Sequence, residues 1–352
     1  MDKKIKVLIV DDSAVVRKIL STGLSKHKDI EVVGTAADPF IARDKIVTLR
    51  PEVITLDVEM PRMDGISFLQ RLMAYYPLPV IMVSSLTQAG CETTIKALEV
   101  GAVDFVAKPS IDVSKSLEEI VNELAEKIRD ASTIKVKKKV YTASLENVNV
   151  GKKTNRSSYA LITSTHKIVA IGASTGGTEA LKEVLVQLPP NSPGIVIVQH
   201  MPQLFTKAFA DRLNTLCAIE VREAKDDDSV IPGTALIAPG NYHMELKRSG
   251  ARYYVSVHQS PHVKRHRPSV EVLFESVAKF AGSNAVGVIM TGMGDDGAGG
   301  LLKMKEAGAK TIAQNEETCV VFGMPKEAIK LGAADNILPL DKIPATILAL
   351  AT

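Results

Sequence analysis

The sequence predicts an α/β protein of two parallel-sheet domains separated by a linker, and three observations predict it. From Ile5 to about Ala131 short apolar runs alternate with amphipathic segments. From Ser132 to His166 that periodicity fails, and from Lys167 to Thr352 it resumes. Runs that are apolar at nearly every position, not every second one, fit strands covered by helices on both faces. The expected domains therefore span 1–131 and 167–352, with the linker over 132–166.

In the first domain the expected strands are Ile5–Val10, Ile30–Thr35, Val53–Leu56, Val80–Val83 and Asp104–Ala107. Helices are expected near Val15–Lys26, Ile41–Leu49, Ile66–Ala74, Thr93–Val100 and Leu117–Arg129. Five such units make a doubly wound, flavodoxin-like parallel sheet. The next stretch is basic, with Lys135-Val136-Lys137-Lys138-Lys139, Lys152, Lys153 and Arg156 against the single acid Glu146. It reads as a solvated linker, contact with an acidic partner being the other reading.

In the second domain strands are expected at Lys167–Ile171, Gly194–Val198, Ala235–Ala238, Ala285–Met290 and Lys310–Ala313. Helices fall near Glu179–Gln187, Thr206–Leu216, Val270–Ala281 and Gly299–Ala307. Tyr242–Lys247 and Arg252–Val257 flank a turn at Arg248–Ala251 and read as a small antiparallel hairpin.

Composition narrows the function classes. At 352 residues the chain can form two cores, and 45% hydrophobic with 24% charged residues is globular, not disordered. A net charge of +3, no Trp and 4% aromatics give little basis for binding nucleic acid, electrostatic or stacked. The three cysteines, Cys91, Cys217 and Cys319, lack CxxC spacing, which fits reduced thiols in a cytoplasm. Ile5–Val10 is too short for a signal sequence, and no apolar span reaches the roughly 20 residues of a membrane helix. A cytoplasmic protein without membrane insertion is expected.

Open parallel sheets bind ligands at the carboxyl ends of their strands. Asp11 and Asp12 follow the first expected strand, Asp57 ends the third, Ser84 the fourth, and Lys108 follows the fifth. These carboxylates repel one another unless a divalent cation joins them, and Mg2+ with oxygen ligands suits that need. The cation and Lys108 offset phosphoryl charge as a carboxylate oxygen attacks phosphorus, and Ser84 can hydrogen-bond the acyl phosphate.

On these residues the region from Met1 to about Arg129 resembles response-regulator receiver domains. The resemblance implies phosphorylation of Asp57 by a histidine kinase. It also implies Mg2+ held by Asp12, Asp57 and the backbone carbonyl of Glu59, with Asp11 assisting. Phe105 stands where many receivers carry an aromatic switch residue, here without a tyrosine hydroxyl.

A second constellation lies past the linker. Gly172-Ala-Ser-Thr-Gly-Gly177 follows one expected strand and opens a helix, which lifts the Ser174 hydroxyl to the rim of the sheet. A nucleophilic serine needs a base and a group to orient that base. His200 ends the neighbouring strand, and Asp295 and Asp296 follow another through Thr291-Gly-Met-Gly294. Either aspartate could orient the base and either could cap the next helix; Asp296 is taken as orienter and Asp295 as cap. His258, His262 and His266 lie among Lys264, Arg265 and Arg267, where solvent or phosphate-like contacts are expected. The order Ser, His, Asp differs from that of α/β-hydrolases. A Rossmann cofactor site lacks its G-x-G-x-x-G.

With these residues in place, Lys167 to Thr352 resembles the catalytic domains of chemotaxis protein-glutamate methylesterases. The resemblance rests on Ile171–Gly177, Gln199-His-Met-Pro202, Ala238-Pro-Gly240 with His243, Arg267-Pro-Ser269 and Met290–Gly297. It implies Ser174 as nucleophile, His200 as base then acid, Asp296 as orienter, and the Met293 N–H and the turn at Thr175 as oxyanion donors. The implied substrates are glutamyl methyl esters on the cytoplasmic helices of methyl-accepting chemotaxis receptors, with glutamine deamidation as a second activity. A chemotaxis histidine kinase is the implied phosphodonor, and the hydrolytic site is expected to need no cofactor. The unphosphorylated receiver is expected to cover the rim that bears Ser174. From another class, a receiver-controlled binding protein with a vestigial triad is the alternative. A transcription factor would show a helix-turn-helix after the linker, and none is legible.

Overall fold

The computed structural model describes residues 3–60, 62–108, 117–134, 136 and 167–351. The expected linker lies almost wholly outside the described residues. The chain forms two compact units, 1–143 and 144–352.

The first unit alternates β1 (Ile5–Val10), α1 (Ala14–Leu24), β2 (Ile30–Ala36), α2 (Pro39–Leu49), β3 (Val53–Asp57), α3 (Gly65–Tyr75), β4 (Val80–Ser84), α4 (Gln88–Val100), β5 (Asp104–Ala107) and α5 (Leu117–Thr133). The strands form one parallel sheet in the order β2-β1-β3-β4-β5. Strands β3 and β4 are buried at every position, as their apolar runs require. Ser13, Asp38, Asp64 and Thr87 each accept an amide of the helix they precede, which fixes where α1 to α4 begin. The sequence places the start of α4 near Thr93, five residues late, because Gly90 in its first turn reads as a breaker. The strand order reverses between β1 and β3, so a crevice opens beside the carboxyl ends of these two strands.

The second unit contains β6 (Ile168–Ala173), α6 (Gly177–Leu185), β7 (Gly194–Gln199), α7 (Phe205–Leu216), β8 (Glu220–Glu223), β9 (Thr234–Ile237), β10 (His243–Ser249), β11 (Arg252–His258), α8 (Val270–Phe280), β12 (Ala285–Ile289), α9 (Ala298–Glu306), β13 (Lys310–Gln314), α10 (Met324–Lys330), β14 (Asn336–Leu338) and α11 (Ile343–Ala351). Seven strands pair in parallel in the order β14-β13-β12-β6-β7-β9-β8. The chain begins in the middle at β6, builds outward through β7, then returns past β6 to add β12. The reversal therefore lies between β6 and β12.

The expected hairpin is β10–β11, closed by Gly250 at φ +58°. Its Met244, Leu246 and Val255 pack into one core cluster with Leu273, Phe274 and Val277 of α8. Ser276 on α8 accepts the Leu246 amide at 2.8 Å. Strands β8 and β14 and helices α10 and α11 were not expected. β8 (Glu-Val-Arg-Glu) and β14 (three residues) are sheet edges, where charge and shortness blunt the unpaired rim and erase the apolar signal. α10 and α11 carry Pro325 and Pro344 near their starts, positions a helix tolerates although Pro reads as a break. No helix among the described residues is long and apolar enough to cross a membrane.

Candidate functional site

Ser174 leaves β6 at the reversal point. Its amide donates to the Thr291 carbonyl at 3.0 Å, tying the turn to the loop after β12. That approach needs Gly292, since a Cβ there would lie 2.6 Å from the Ser174 Cβ and 2.4 Å from the Met324 Sδ. Gly176 holds φ +76°, a left-handed conformation that glycine adopts freely. His200 follows the adjacent β7, and its amide donates to the Ala173 carbonyl at 3.1 Å. Gln199 adds a side-chain bond from Nε2 to the Ser174 carbonyl at 2.8 Å.

The three groups meet. His200 Nδ1 lies 3.1 Å from Ser174 Oγ, and His200 Nε2 lies 2.7 Å from Asp296 Oδ2. A carboxylate only accepts, so Nε2 carries the proton and Nδ1 is left to accept from the serine hydroxyl. This ring assignment is the reverse of that in chymotrypsin-like triads, with the same chemical outcome.

Asp296 is 1% exposed. Besides His200 it accepts Ser269 Oγ at 2.7 Å, the Val270 amide at 2.7 Å and the Glu271 amide at 3.0 Å, so it sits on the N-terminus of α8. Burial opposes its charge, but the His200, Ser269 and Val270 donors outweigh burial and hold its carboxyl below the ordinary value. An ionised carboxylate in this place fixes the imidazole and stabilises its protonated form.

Asp295 is corrected in one respect. Its carboxylate pairs with Lys264 and does not cap α9, whose N-cap is Gly297 at φ +87° with no side-chain cap. Neither aspartate caps α9; Asp296 caps α8, a helix that precedes it in the chain. Here the two aspartates divide: only Asp296 reaches His200.

The sequence missed His266. Its ring is stacked on that of His200, with centroids 3.7 Å apart and planes 11° apart, where solvent or phosphate contact was expected. Only the path of the 258–267 loop brings the rings together, so no local signal could have found it. His258 does keep a looser environment, 3.6 Å from Glu245. At the expected oxyanion positions, Thr175 is buried and its carbonyl accepts Thr291 Oγ1 at 2.9 Å. Met293 is half exposed, and its amide has no hydrogen-bond partner among the described residues.

In the first unit the carboxylates of Asp11, Asp12 and Asp57 offer oxygens within 4.8 Å of one another beside the β1/β3 crevice. Lys108 Nζ lies 2.6 Å from Asp57 Oδ2 and 3.2 Å from Asp11 Oδ2. Burial pushes Asp57 up to about 6, with the Asp11 charge adding to it and Lys108 opposing. Asp11 is raised too, mainly by burial. The Glu59 amide donates to Asp57 Oδ1 at 3.1 Å. Converging all-oxygen ligands with surplus negative charge, two of them buried, fit a hard divalent cation such as Mg2+.

Ser84 is fully buried and its hydroxyl donates to the Gly90 carbonyl at 3.2 Å, on the α4 side of its strand. Phe105 is also buried, and Lys127, bound to Asp104 at 2.7 Å, lies 5.6 Å from the centre of its ring.

Each unit matches a known family. The family model of the CheB methylesterase matches residues 169–347, and that of the response regulator receiver domain matches residues 7–121. A protein-glutamate methylesterase/protein-glutamine glutaminase 2 from Syntrophus aciditrophicus is 61% identical over 340 residues, 97% of each chain. A protein-glutamate methylesterase/protein-glutamine glutaminase from Salmonella typhimurium is 52% identical over 346 residues, 98% of this chain and 97% of that one. The crystal structure of the Thermotoga maritima CheB methylesterase catalytic domain matches at a TM-score of 0.51 and 43% identity, covering 52% of this chain and 98% of that one. The chain belongs to the CheB methylesterase family and carries a response-regulator receiver domain ahead of its methylesterase domain.

Proposed function

We propose that this chain is a phosphorylation-controlled serine hydrolase of sensory adaptation in chemotaxis. It removes methyl groups from glutamyl methyl esters of methyl-accepting chemotaxis receptors and deamidates receptor glutamines. The observation that supports it most is the continuous Ser174–His200–Asp296 relay at the reversal of the strand order. Family matches inside each expected domain, 7–121 within 1–131 and 169–347 within 167–352, support the domain limits.

In this reading Ser174 Oγ attacks the ester carbonyl while its proton passes to His200 Nδ1. The developing oxyanion is met by backbone donors at Met293 and the Thr175 turn. The protonated His200 then gives its proton to the departing methoxide oxygen, and methanol leaves a glutamyl ester on Ser174. Water, losing a proton to His200, attacks that ester; Ser174 Oγ takes the proton back and the receptor glutamate is freed. With a glutamine substrate, ammonia leaves in place of methanol. Asp296 keeps Nε2 protonated throughout, so it is Nδ1 that takes up and returns each proton.

In the receiver, Asp57 accepts the phosphoryl group from a chemotaxis histidine kinase, and Lys108 supplies a fixed cation beside it. Mg2+ held by Asp12, Asp57 and the Glu59 carbonyl, with Asp11 assisting, offsets phosphoryl charge when bound. Ser84 and Phe105 report the modified state, and phosphorylation raises the hydrolytic rate. The enzyme works in the cytoplasm, where the receptor helices and the kinase are reached.

The test is methanol release from methylated receptor membranes by the full chain, with and without a phosphodonor. We expect stimulation by the phosphodonor in the wild type, none in Asp57→Asn, and no release above background in Ser174→Ala. Release that persists in Ser174→Ala would overturn the hydrolase reading.

A further inference from the structure

Ser269 occupies the N-cap of α8, where a serine hydroxyl ordinarily accepts an amide of its own helix. Here it makes no such bond. The first amides of α8, from Val270 and Glu271, go to Asp296 instead, and the fully buried Ser269 hydroxyl donates to Asp296 Oδ1 at 2.7 Å. A capping residue has thus given up its local role to serve a carboxylate from a distant segment. Behind it stands a second buried group. The Ser269 amide donates to His243 Nδ1 at 3.3 Å, and His243 Nε2 donates to the Pro261 carbonyl at 3.1 Å. His243 is fully buried, and burial lowers its pKa, so the imidazole stays neutral and keeps Nδ1 as an acceptor.

We infer that Ser269, held in place by His243, is a positioning residue that divides the Asp296 charge between itself and His200 and so sets the basicity of the hydrolytic base. The inference rests on the hydrolase reading above. The physical argument is one of competition. Each donor on a carboxylate withdraws charge that would otherwise stabilise a protonated imidazole on its other oxygen. With Ser269 Oγ on Oδ1, less of the carboxylate charge faces His200 Nε2. Losing that donor leaves more charge for the imidazolium, and the active form appears only at higher pH.

The charged and titratable groups around this pair come from several elements. His266 is stacked on His200, Lys264 and Asp295 pair at the rim, Glu271 lies on α8 and His243 on β10. These residues are the same in wild type and variants, and Ser269→Thr controls for their influence on the pH limb.

The experiment is the pH dependence of methanol release from methylated receptor membranes. The full chain is used with the phosphodonor held constant, so the receiver contributes equally to wild type and variants. For Ser269→Ala we expect kcat to fall on the order of 10-fold, because Asp296 loses the bond that fixes its Oδ1 and thereby the orientation of His200, with KM nearly unchanged. We also expect the acid limb of kcat/KM to move up by roughly 0.5 pH unit. Ser269→Cys, similar in size but a weak donor, moves the limb the same way and serves if the alanine variant fails to fold. Ser269→Thr, which keeps a hydroxyl, retains the wild-type limb. A rate loss in the alanine and cysteine variants without movement of the limb, or a threonine limb matching theirs, overturns the inference. Ser174→Ala in the same assay separates the two claims, because activity without Ser174 defeats the hydrolase reading whatever Ser269 does.

Discussion

Both halves of the molecule place an almost completely buried aspartate at the point where a parallel sheet reverses its strand order, yet the two aspartates behave in opposite ways. Asp57 is pushed up to about 6, whereas Asp296 is held below the ordinary carboxylate value. Burial raises both. What differs is the set of donors. Asp57 has the Glu59 amide and Lys108, with Asp11 and Asp12 close by as like charges. Asp296 has four donors of its own, including two amides at the N-terminus of a helix. The lesson is that one topological position can supply either an incomplete electrostatic site or a complete one. The receiver site leaves negative charge that its own donors do not meet, as a cation site would. The hydrolytic site is satisfied by the protein and free to polarise its histidine.

The sharpest way to break this comparison is to remove the charge of Asp296 without changing its shape. Asp296→Asn should cost on the order of 10^4-fold in kcat, because an amide can leave His200 in the wrong tautomer. Asp295→Asn, at the solvent-facing pair with Lys264, should stay within about twofold, as expected of an exposed ion pair. Steady-state methanol release from both variants checks this, and equal losses would show that the two aspartates had been wrongly separated.

A second measurement tests the opposite signs directly through stability. Asp57 binds a proton more tightly folded than unfolded, so its ionisation destabilises the receiver as pH rises from about 4 through 6. Asp57→Asn should therefore stabilise the first unit at pH 7, by up to about 3 kcal/mol. Asp296 is the reverse case. Its depressed pKa contributes stability that is present above the unfolded value and is lost as pH falls through the folded one. Asp296→Asn should thus lower stability at pH 7 and matter less in acid. Thermal unfolding of both variants between pH 4 and pH 7, without Mg2+, would reveal the contrast, and shifts of the same sign would refute it.

The smallest effect concerns His266. Stacked aromatic pairs contribute about 0.5–1.5 kcal/mol, so His266→Ala should slow turnover roughly two- to tenfold, and His266→Phe, which restores a flat ring, should recover most of the loss. Recovery by leucine as complete as by phenylalanine would point to filling of space, not stacking.

Much of this was legible in the chain. Buried parallel strands are apolar throughout, so β1, β3, β4, β6, β7 and β12 declare themselves. The residues that follow such strands fall on one rim, which gathers Asp11, Asp12, Asp57 and Lys108 in one unit and Ser174 with His200 in the other. The edges escaped notice: β8 and β14 are polar and short because they must not pair further, so they lack the signal by which strands are recognised. His266 and Ser269 escaped as well, since what they touch is set by a loop that folds back over the site.

By itself the sequence determined two α/β domains, their rims, and the residue types able to do the chemistry, because periodicity and strand ends are local properties of the chain. Tertiary structure alone decided which aspartate reaches His200, which ring nitrogen faces Ser174, that Asp296 caps a helix preceding it in the chain, and which buried carboxylate is raised and which lowered. Those outcomes depend on how many donors reach each oxygen from segments far apart in the chain, and no local pattern counts them.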